Sequence, residues 1–408
     1  MDPILIVGLV LFGGFVFGEI ATKMNLPKVT GYLLAGVLLN PTVFNFIPKD
    51  AVNHTNLITN ISLAFITFSI GGTLVYSQLK ALGKSILYIT LFEAEFALIA
   101  LVAGFLIVSP FLVHVQGGTW ISVFIPLSIL MGCLGSPTDP SPMLAVSHQY
   151  NAKGPVTSTI LSVGASDDVM GIINYSITVV IAQAFVLHKA FSLSTTILKP
   201  LLQISGSFLL GIIFGFLFIL ITWFIRKEKE GVLIVLVFGL LSVCTGVANL
   251  LNVDELLSTM TMGAVVANFH PRSEAIFKML ERYTEELIFV LFFTISGMIL
   301  DFGVLLKSLP LVFFFIIFRL IGKFTGTYVG GSLSHAPAKV KKYTIGGLVP
   351  LGGIVVGLAL LMKQDPTFSK FSDIILSVII GSTILHEFIG PISGKWAIKE
   401  ADEIEKTC

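Results

Sequence analysis

The chain has 408 residues, of which 55% are hydrophobic and only 12% charged, and its mean hydropathy is +0.94. In soluble domains about a quarter of all residues are charged, so this composition excludes a soluble globular protein and indicates a polytopic membrane protein. A net charge of +1 gives no sign of a nucleic-acid partner, and the three cysteines have no metal or disulfide spacing.

Apolar runs separated by polar breaks predict an all-α fold with about thirteen transmembrane helices, because a helix needs roughly 20 apolar residues to cross a bilayer. The predicted spans are 3–22, 29–46, 57–77, 85–109, 120–147, 153–187, 196–225, 231–251, 255–270, 284–303, 305–332, 340–363 and 370–396. Loops on one side carry most of the Lys and Arg residues, which is typical of the cytoplasmic side. We therefore expect an outside N-terminus and a cytoplasmic C-terminus, in the plasma or inner membrane.

The fifth predicted span contains a proline-rich segment, residues 135–142, with the sequence Gly-Ser-Pro-Thr-Asp-Pro-Ser-Pro. A continuous helix cannot accommodate it, because each proline removes a backbone donor and clashes with the preceding turn. Unwound backbone at membrane depth is tolerated only where it is buried in protein or lines a watery cavity. The segment therefore predicts a broken helix with Thr138 and Asp139 in the break.

The sixth predicted span carries two adjacent carboxylates, Asp167 and Asp168, within an apolar run. An ionised side chain at the centre of a span costs at least ~2.5–3.5 kcal/mol, so such groups are usually functional. Successive helical residues point about 100° apart, so one carboxylate can line a cavity while the other pairs with a neighbouring helix. We interpret the pair as a site where protons and cations compete; the alternative is that it only hydrogen-bonds neighbouring helices.

The twelfth predicted span has a matching interruption, residues 346–353, with the sequence Gly-Gly-Leu-Val-Pro-Leu-Gly-Gly. If spans one to six repeat as spans eight to thirteen, the two interruptions fall at corresponding positions. Interrupted segments at corresponding positions of two halves are typical of a transporter's binding site. The pattern predicts an inverted repeat with two crossed broken helices; the alternative is ordinary proline or glycine kinks in a channel or receptor.

Spans four and eleven correspond in the same repeat and carry opposite charges. Glu93 and Glu95 lie in span four, and Arg319 and Lys323 lie four residues apart in span eleven. Opposite charges on symmetry-related helices would keep each other ionised in a dry core. We expect one of the two glutamates to pair with Arg319, and Lys323 to reach toward Asp167.

Further ionisable residues lie outside these patterns. Glu19, Asp301 and Glu387 are expected nearer span ends in structural roles, and His386 is expected to be a satisfied or interfacial histidine.

Six motifs in chain order give the chain a resemblance to the monovalent cation:proton antiporter-2 family, the sodium/proton exchangers of prokaryotes and their relatives. They are residues 26–41 entering span two, the break with Thr138 and Asp139, the pair Asp167 and Asp168, residues 319–323, residues 347–353 and residues 387–391. The resemblance covers nearly the whole chain and implies the sodium/proton antiporter fold.

The resemblance also implies a homodimer in which a mobile core slides against a dimerisation scaffold. The scaffold would comprise about 1–80 and 231–303, and the mobile core would comprise about 85–187 and 305–398. A linker helix, 196–225, would connect them. In that family the second aspartate, here Asp168, is the main cation and proton carrier. The first, here Asp167, pairs with a lysine that Lys323 matches, and Thr138 and Asp139 lie beside the ion.

We therefore expect a secondary active monovalent cation/proton antiporter that exchanges Na⁺ or Li⁺ for protons by elevator-type alternating access. A hard cation such as Na⁺ prefers oxygen ligands, which Asp168, Asp139 and Thr138 supply. The expected partners are monovalent cations, protons and the lipid bilayer, without a cofactor or nucleic acid. The alternatives are a K⁺/H⁺ antiporter of the same superfamily and a sodium-coupled organic anion symporter. An enzyme is the least expected class, because no catalytic cluster occurs at usable spacing.

Overall fold

The computed structural model describes residues 3–24, 27–41, 55–77, 83–115, 117–187, 199–225 and 230–404, and these ranges contain helices and turns but no β-strand. The α-helices follow in chain order: Pro3–Lys23 (α1), Lys28–Leu39 (α2), Asn56–Thr73 (α3), Gly83–Leu112 (α4), Ile125–Cys133 (α5), Ser141–Gln149 (α6), Pro155–Gly164 (α7), Asp167–Val186 (α8), Lys199–Phe224 (α9), Glu230–Leu251 (α10), Glu255–Phe269 (α11), Ser273–Leu280 (α12), Glu286–Met298 (α13), Phe302–Leu333 (α14), Ala338–Tyr343 (α15), Ile354–Gln364 (α16) and Ser372–Glu400 (α17). The predicted all-α fold is confirmed.

Seven helices within the described ranges are long and apolar enough to cross a membrane. They are Ile4–Lys23, Gly83–Leu112, Pro155–Val186 (α7 and α8 taken together), Leu201–Phe224, Glu230–Leu251, Phe302–Leu333 and Ser372–Glu400. Shorter apolar helices are Lys28–Leu39, Trp120–Cys133 and Ile354–Gln364. Large apolar side chains such as Phe12, Phe111 and Trp223 stay exposed on the outer faces, as suits contact with lipid.

The chain forms two compact units, each assembled from separate stretches of sequence. The first unit comprises Met1–Ile20, Gly31–Ala81 and Phe191–Ile299. The second unit comprises Ala21–Thr30, Leu82–Ala190 and Leu300–Cys408. Each half of the predicted repeat, spans one to six and spans eight to thirteen, thus contributes helices to both units.

In the first unit, α3 and α11 pack with their backbones in close contact. Gly71 lies against the carbonyl of Met260, and Gly263 lies against the carbonyl of Phe68, so neither position has room for a side chain. The hydroxyls of Thr67 and Thr259 are 2.6 Å apart across the same contact. Small residues that bring backbones together are typical of helix packing in membranes.

In the second unit, a stripe of glycines packs α14 against α4. Gly322, Gly326 and Gly330 recur at four-residue spacing and face the α4 backbone around Ala97, Glu93 and Ile89, respectively. This close approach fixes the register of the two helices. It places the segment of α14 around Gly326 directly opposite Glu93.

The end of α17 is tied to the start of α7 by Glu403, which is only 8% exposed. Its two carboxylate oxygens accept hydrogen bonds from the backbone amides of Val156 and Thr157 at 2.7 Å, and the Thr157 hydroxyl also donates to it. The first amides of a helix have no intrahelical acceptor, and an anion there is stabilised by the helix dipole. Glu403 therefore caps the helix that leads to the Asp pair.

We expect Glu403→Ala to loosen this cap, because hydrogen bonds to a charged group contribute about 1.5–3 kcal/mol. Amide hydrogen exchange at Val156 and Thr157 should accelerate, and the midpoint of thermal unfolding should fall. Glu400→Ala is the control, because Glu400 is exposed on the same helix. Equal exchange in the two variants would contradict a capping role.

Candidate functional site

The first predicted break lies between α5 and α6. Helix α5 ends at Cys133 and α6 begins at Ser141, and the intervening backbone is not helical at Ser136, Thr138 and Asp139. All three of these side chains are buried, with at most 7% exposure. Prolines within the segment prevent the helix from continuing, as the sequence predicts.

The second predicted break lies between the short helical turn Thr344–Gly347 and α16, which begins at Ile354. The backbone amide of Gly352 in this break donates a hydrogen bond to the carbonyl of Pro137 in the first break, at 3.0 Å. The two breaks are therefore in direct contact, in agreement with two crossed broken helices.

Arg319 of α14 binds the backbone of both breaks. Its guanidinium donates to the carbonyls of Gly135 at 2.8 Å, Val349 at 2.5 Å, Pro137 at 2.9 Å and Pro350 at 3.0 Å. A broken helix leaves carbonyls without amide partners, and the planar guanidinium carries five N–H donors that can satisfy them. Arg319 is 0% exposed and holds the two breaks together.

The expected ion pair between Arg319 and one of the two glutamates of α4 was wrong. Glu93 Oε2 instead lies 2.7 Å from Lys323 Nζ, and both side chains are fully buried. Glu95 is half-buried and lies outside this contact. The glycine stripe explains the difference, because it fixes the register of α14 on α4 so that Lys323 lies opposite Glu93. Arg319, one helical turn before Lys323, binds the backbone carbonyls of the two breaks instead.

Lys323 joins the first break to two carboxylates. Its ammonium donates to the Ser136 carbonyl at 2.5 Å and to the Thr138 hydroxyl at 2.7 Å. Asp167 Oδ2 lies 3.3 Å away, so the expected contact between Lys323 and Asp167 is present. A buried lysine with Glu93 on one side and Asp167 on the other is compensated by two acids rather than one.

Asp167 is the first residue of α8, and its carboxylate is hydrogen-bonded to Thr138. The Thr138 amide donates to Asp167 Oδ1 at 3.1 Å, and the Thr138 hydroxyl donates to Oδ2 at 2.5 Å. Helix α7 ends at Gly164, so the sixth span is interrupted immediately before the Asp pair, a feature the sequence analysis missed. The interruption places both carboxylates in the first turn of α8, where the helix dipole stabilises negative charge.

Asp168 differs from Asp167 in its surroundings. Its side chain is half-buried, and its Oδ1 accepts no hydrogen bond from the residues that the structure describes. The charged groups that act on it are Asp167, Asp139 and Lys323. One carboxylate of the pair is thus fully occupied by protein donors, while the other keeps an oxygen that can accept a proton or a cation.

Asp139 lies in the first break and caps α6. Its Oδ1 accepts a hydrogen bond from the Ser141 amide at 2.8 Å, as an N-terminal capping residue does. The Thr138 hydroxyl donates a hydrogen bond to Asp167 and accepts one from Lys323, so it is not directed at Asp168 alone. The structure thus brings together the predicted residues Asp167, Asp168, Thr138, Asp139, Lys323, Arg319 and Glu93, all in the second unit.

The placement of Glu387 near a span end was wrong, and its neighbour His386 is not interfacial but bonds the Ser382 carbonyl through Nδ1. Helix α17 runs from Ser372 to Glu400, so the two residues lie in its middle, and they are 0% and 1% exposed. Both Glu387 oxygens lack a hydrogen-bond partner among the residues that the structure describes. The sequence signal that could have predicted their placement is their position midway between the two ends of the helix.

Comparison with known proteins finds a matching family model, a distant relative and similar solved structures. The family model described as "Sodium/hydrogen exchanger, transmembrane" matches residues 7–399. The ammonium/H⁺ antiporter subunit AmhT of Alkalihalophilus pseudofirmus is 23% identical over 398 residues, which are 97% of this chain and 95% of that protein.

Solved structures of the sodium proton antiporter MjNhaP1 from Methanocaldococcus jannaschii share the fold. One matches with a TM-score of 0.77 and 19% identity, covering 98% of both chains. An electron-microscopy structure of the same antiporter matches with a TM-score of 0.71 and 20% identity, covering 99% of both chains. At these identities the likeness shows the fold alone.

Proposed function

The chain belongs to the family of transmembrane sodium/hydrogen exchangers, and on that premise we propose that it exchanges Na⁺ or Li⁺ for protons at Asp168. It is a multi-pass cation/proton antiporter rather than an enzyme. The proposal therefore concerns the cation, the residue that carries it and the movement that transports it.

The observation that supports Asp168 as the carrier is the contrast between the two aspartates. Asp167 accepts two hydrogen bonds from Thr138 and lies beside Lys323, so its negative charge is compensated by the protein. Asp168 has a free Oδ1 and two further acids acting on it, which favours binding of a positive charge. A proton and a monovalent cation both provide that charge.

Competition for one carboxylate produces exchange. With a proton or a cation bound, Asp168 is nearly neutral and can pass through a low-dielectric barrier; the bare carboxylate cannot, because its desolvation costs several kcal/mol. The oxygens that would surround the cation are those of Asp168, Asp139 and Thr138. The carbonyls of Gly135, Ser136, Pro137, Val349 and Pro350 are already bound by Arg319 or Lys323, so the carboxylates supply the main attraction.

Elevator-type alternating access is the movement that we propose. Its support is that every site residue lies in the second compact unit, whose helices correspond to the expected mobile core 85–187 and 305–398. The first unit contains the expected linker 196–225 and the expected scaffold 1–80 and 231–303 except for residues 21–30 and 300–303, which belong to the second unit. We also propose a homodimer, with an outside N-terminus and a cytoplasmic C-terminus in the plasma or inner membrane.

A second candidate cation is ammonium, because a relative over nearly the full chain is described as an ammonium/H⁺ antiporter subunit. Ammonium carries the same charge as Na⁺ but donates hydrogen bonds to oxygens. The free Asp168 oxygen and the Asp139 carboxylate are acceptors that suit such a donor. K⁺ remains the third candidate.

Proton flux in proteoliposomes tests the proposal. An acidic lumen and a pH-sensitive dye report proton exit when Na⁺, Li⁺, K⁺, ammonium or choline is added outside, and the ammonium signal is corrected with protein-free liposomes. We expect Na⁺ and Li⁺ to dissipate the gradient and choline to leave it unchanged. A response to ammonium or K⁺ alone would reassign the cation, and silence to all of them would overturn antiport.

The contact of Gly352 with Asp168 gives a further prediction. A methyl group at Gly352 would lie 2.9 Å from Pro137 Cβ and 3.1 Å from Asp168 Oδ1, so the break or the carboxylate must move. We expect Gly352→Ala to lower the exchange rate at least about tenfold, as small displacements of reacting groups do. Gly239→Ala is the control, because nothing lies within 4 Å of that position. Wild-type exchange in Gly352→Ala would contradict a close contact of the second break with the ion.

A further inference from the structure

A stripe of exposed apolar residues on α17 ends at Trp396. Leu385, Ile389, Ile392 and Trp396 recur at spacings of four, three and four residues, so they share one helix face, and all four are exposed. Such a face suits contact with acyl chains, and a tryptophan at its end is typical of the boundary between acyl chains and headgroups. The next residue on this face is Lys399, so the face leaves the hydrocarbon layer at Trp396.

Aromatic contacts extend this boundary from α17 to α15. The ring of Tyr343, the last residue of α15, is centred 5.7 Å from the Trp396 ring, edge to face. Lys342 Nζ lies 5.0 Å from the centre of the Tyr343 ring, and the Lys342 side chain is exposed. An ammonium over an aromatic ring is attracted by the negative face of that ring. These two contacts place the Lys342 ammonium near Trp396.

Two lysines of α17 lie before and after Trp396 in the last turns of the helix. Lys395 and Lys399 are four residues apart, so they share one helix face, and both are exposed. Lys395 Nζ lies 4.8 Å from the centre of the ring of Tyr150, the residue that follows α6. Lysine stems commonly pack on such apolar surface while the ammonium stays among polar groups. Lys342, Lys395 and Lys399 are called the lysine patch below.

The lysine patch keeps a net positive charge, because two of the neighbouring acids have other partners. Residues 338–343 contain no acid, and residues 395–404 contain three, which are Glu400, Asp402 and Glu403. Asp402 pairs with Lys339 at 2.7 Å, and Glu403 accepts hydrogen bonds at the start of α7. Of these three acids, the exposed Glu400 remains to balance three lysines.

We propose that the lysine patch is a binding site for the phosphate group of anionic phospholipids such as phosphatidylglycerol. Lipid is the ligand, because the patch begins where the apolar stripe of α17 ends, and lipid headgroups occupy that depth. A net positive surface there favours an anionic lipid over a zwitterionic one. The proposed cytoplasmic C-terminus agrees with this ligand, since the cytoplasmic leaflet has a negative surface potential from its anionic lipids.

The lipid site goes beyond the proposed exchange at Asp168 but belongs to the same part of the molecule. The lysine patch and Asp168 both lie in the second compact unit. Gly390, six residues before Trp396 on α17, packs against the ring of Pro350 in the second break. A lipid bound at the patch therefore contacts the end of a helix that also packs against the broken helices.

Fluorescence of Trp396 tests the site without transport. The chain has three tryptophans, so Trp120→Phe together with Trp223→Phe leaves Trp396 as the single emitter. This parent protein is reconstituted in mixed phosphatidylcholine and phosphatidylglycerol, and one lipid at a time carries bromine on its acyl chains, which quenches a tryptophan in contact. The two quenching curves give the affinity of phosphatidylglycerol relative to phosphatidylcholine beside Trp396.

We expect phosphatidylglycerol to bind beside Trp396 at least about fivefold more tightly than phosphatidylcholine at low salt, since one lysine near an anionic bilayer surface has an effect of this size. The preference should fall with added salt, because salt screens exposed charges. This salt titration tests the role of charge in the parent protein without any lysine substitution.

Lys342→Gln, Lys395→Gln and Lys399→Gln introduced together should make the two affinities nearly equal. Arginine at the same three positions should keep the preference, because arginine keeps the positive charge. Lys278→Gln is the matched control, since Lys278 is an exposed lysine of the first unit, and it should leave the preference unchanged.

Equal affinities of the two lipids in the parent protein would overturn the lipid site and leave the lysines to a soluble acidic partner. A preference that survives the three glutamines or high salt would also overturn it, because the lysine charges would then not be its cause. Silence to every cation in the proteoliposome assay would overturn antiport and leave the lipid result unaffected.

Discussion

Asp168→Asn is expected to reduce cation-driven proton flux to the level of protein-free liposomes. Asparagine has nearly the same shape as aspartate but cannot lose or bind a proton at neutral pH. The variant therefore has no negative charge that a proton or a cation could neutralise. The variant should fold, because Asp168 Oδ1 holds no hydrogen bond from the described residues. Flux is read with a pH-sensitive dye, and folding with the midpoint of thermal unfolding.

Glu274→Gln is the matched control for a lost carboxylate. Glu274 lies on α12 and pairs with Lys278 at 2.6 Å, with both side chains largely exposed. Exposed pairs contribute little to stability, so this variant should transport like the wild type. Cation-driven flux that persists in Asp168→Asn would contradict the assignment of the carrier.

Lys323→Met is expected to destabilise the second unit by about 3–5 kcal/mol, because it leaves Glu93 and Asp167 buried without their shared cation. It also removes the donor to the Ser136 carbonyl in the first break. The midpoint of thermal unfolding should fall markedly. Lys278→Met, which removes an exposed lysine, should change it little.

Glu93→Gln introduced together with Lys323→Met should recover part of the lost stability, since it removes one of the two uncompensated acids. The coupling between the two substitutions measures their interaction, because the residues are in direct contact. Additive effects of the two single substitutions on the midpoint would show that Glu93 and Lys323 do not form a buried pair.

The broken helices could be predicted from the sequence because their cause is local. Three prolines within residues 135–142 exclude a regular helix there, and four glycines with a proline within residues 346–353 disfavour one. The Asp pair was equally visible, because an ionised side chain is rare in an apolar span. These features give the architecture of the site without knowledge of any contact.

The partners of the charged residues could not be predicted in the same way. Whether Glu93 meets Arg319 or Lys323 depends on the register of α14 on α4, which a spacing argument does not give. The glycine stripe at Gly322, Gly326 and Gly330 was the signal that fixes this register. It becomes informative only when the facing helix is known.

Two further differences come from reading hydropathy alone. The end of α7 at Gly164 was missed because Ala165 and Ser166 are compatible with a continuous apolar helix. Glu387 was assigned to a span end, although α17 extends to Glu400 and places it in the middle. Hydropathy indicates that a segment crosses the membrane, but not where its backbone breaks or which face is dry.

Proton release on cation binding tests most directly the claim that protons and cations compete for Asp168. The purified protein, in weakly buffered detergent solution with a pH indicator, receives Na⁺, Li⁺, ammonium or choline in turn. The account predicts that the wild type releases protons with the transported cation and not with choline, and that Asp168→Asn releases fewer. Cation binding without proton release in the wild type, or equal release from both proteins, would contradict it.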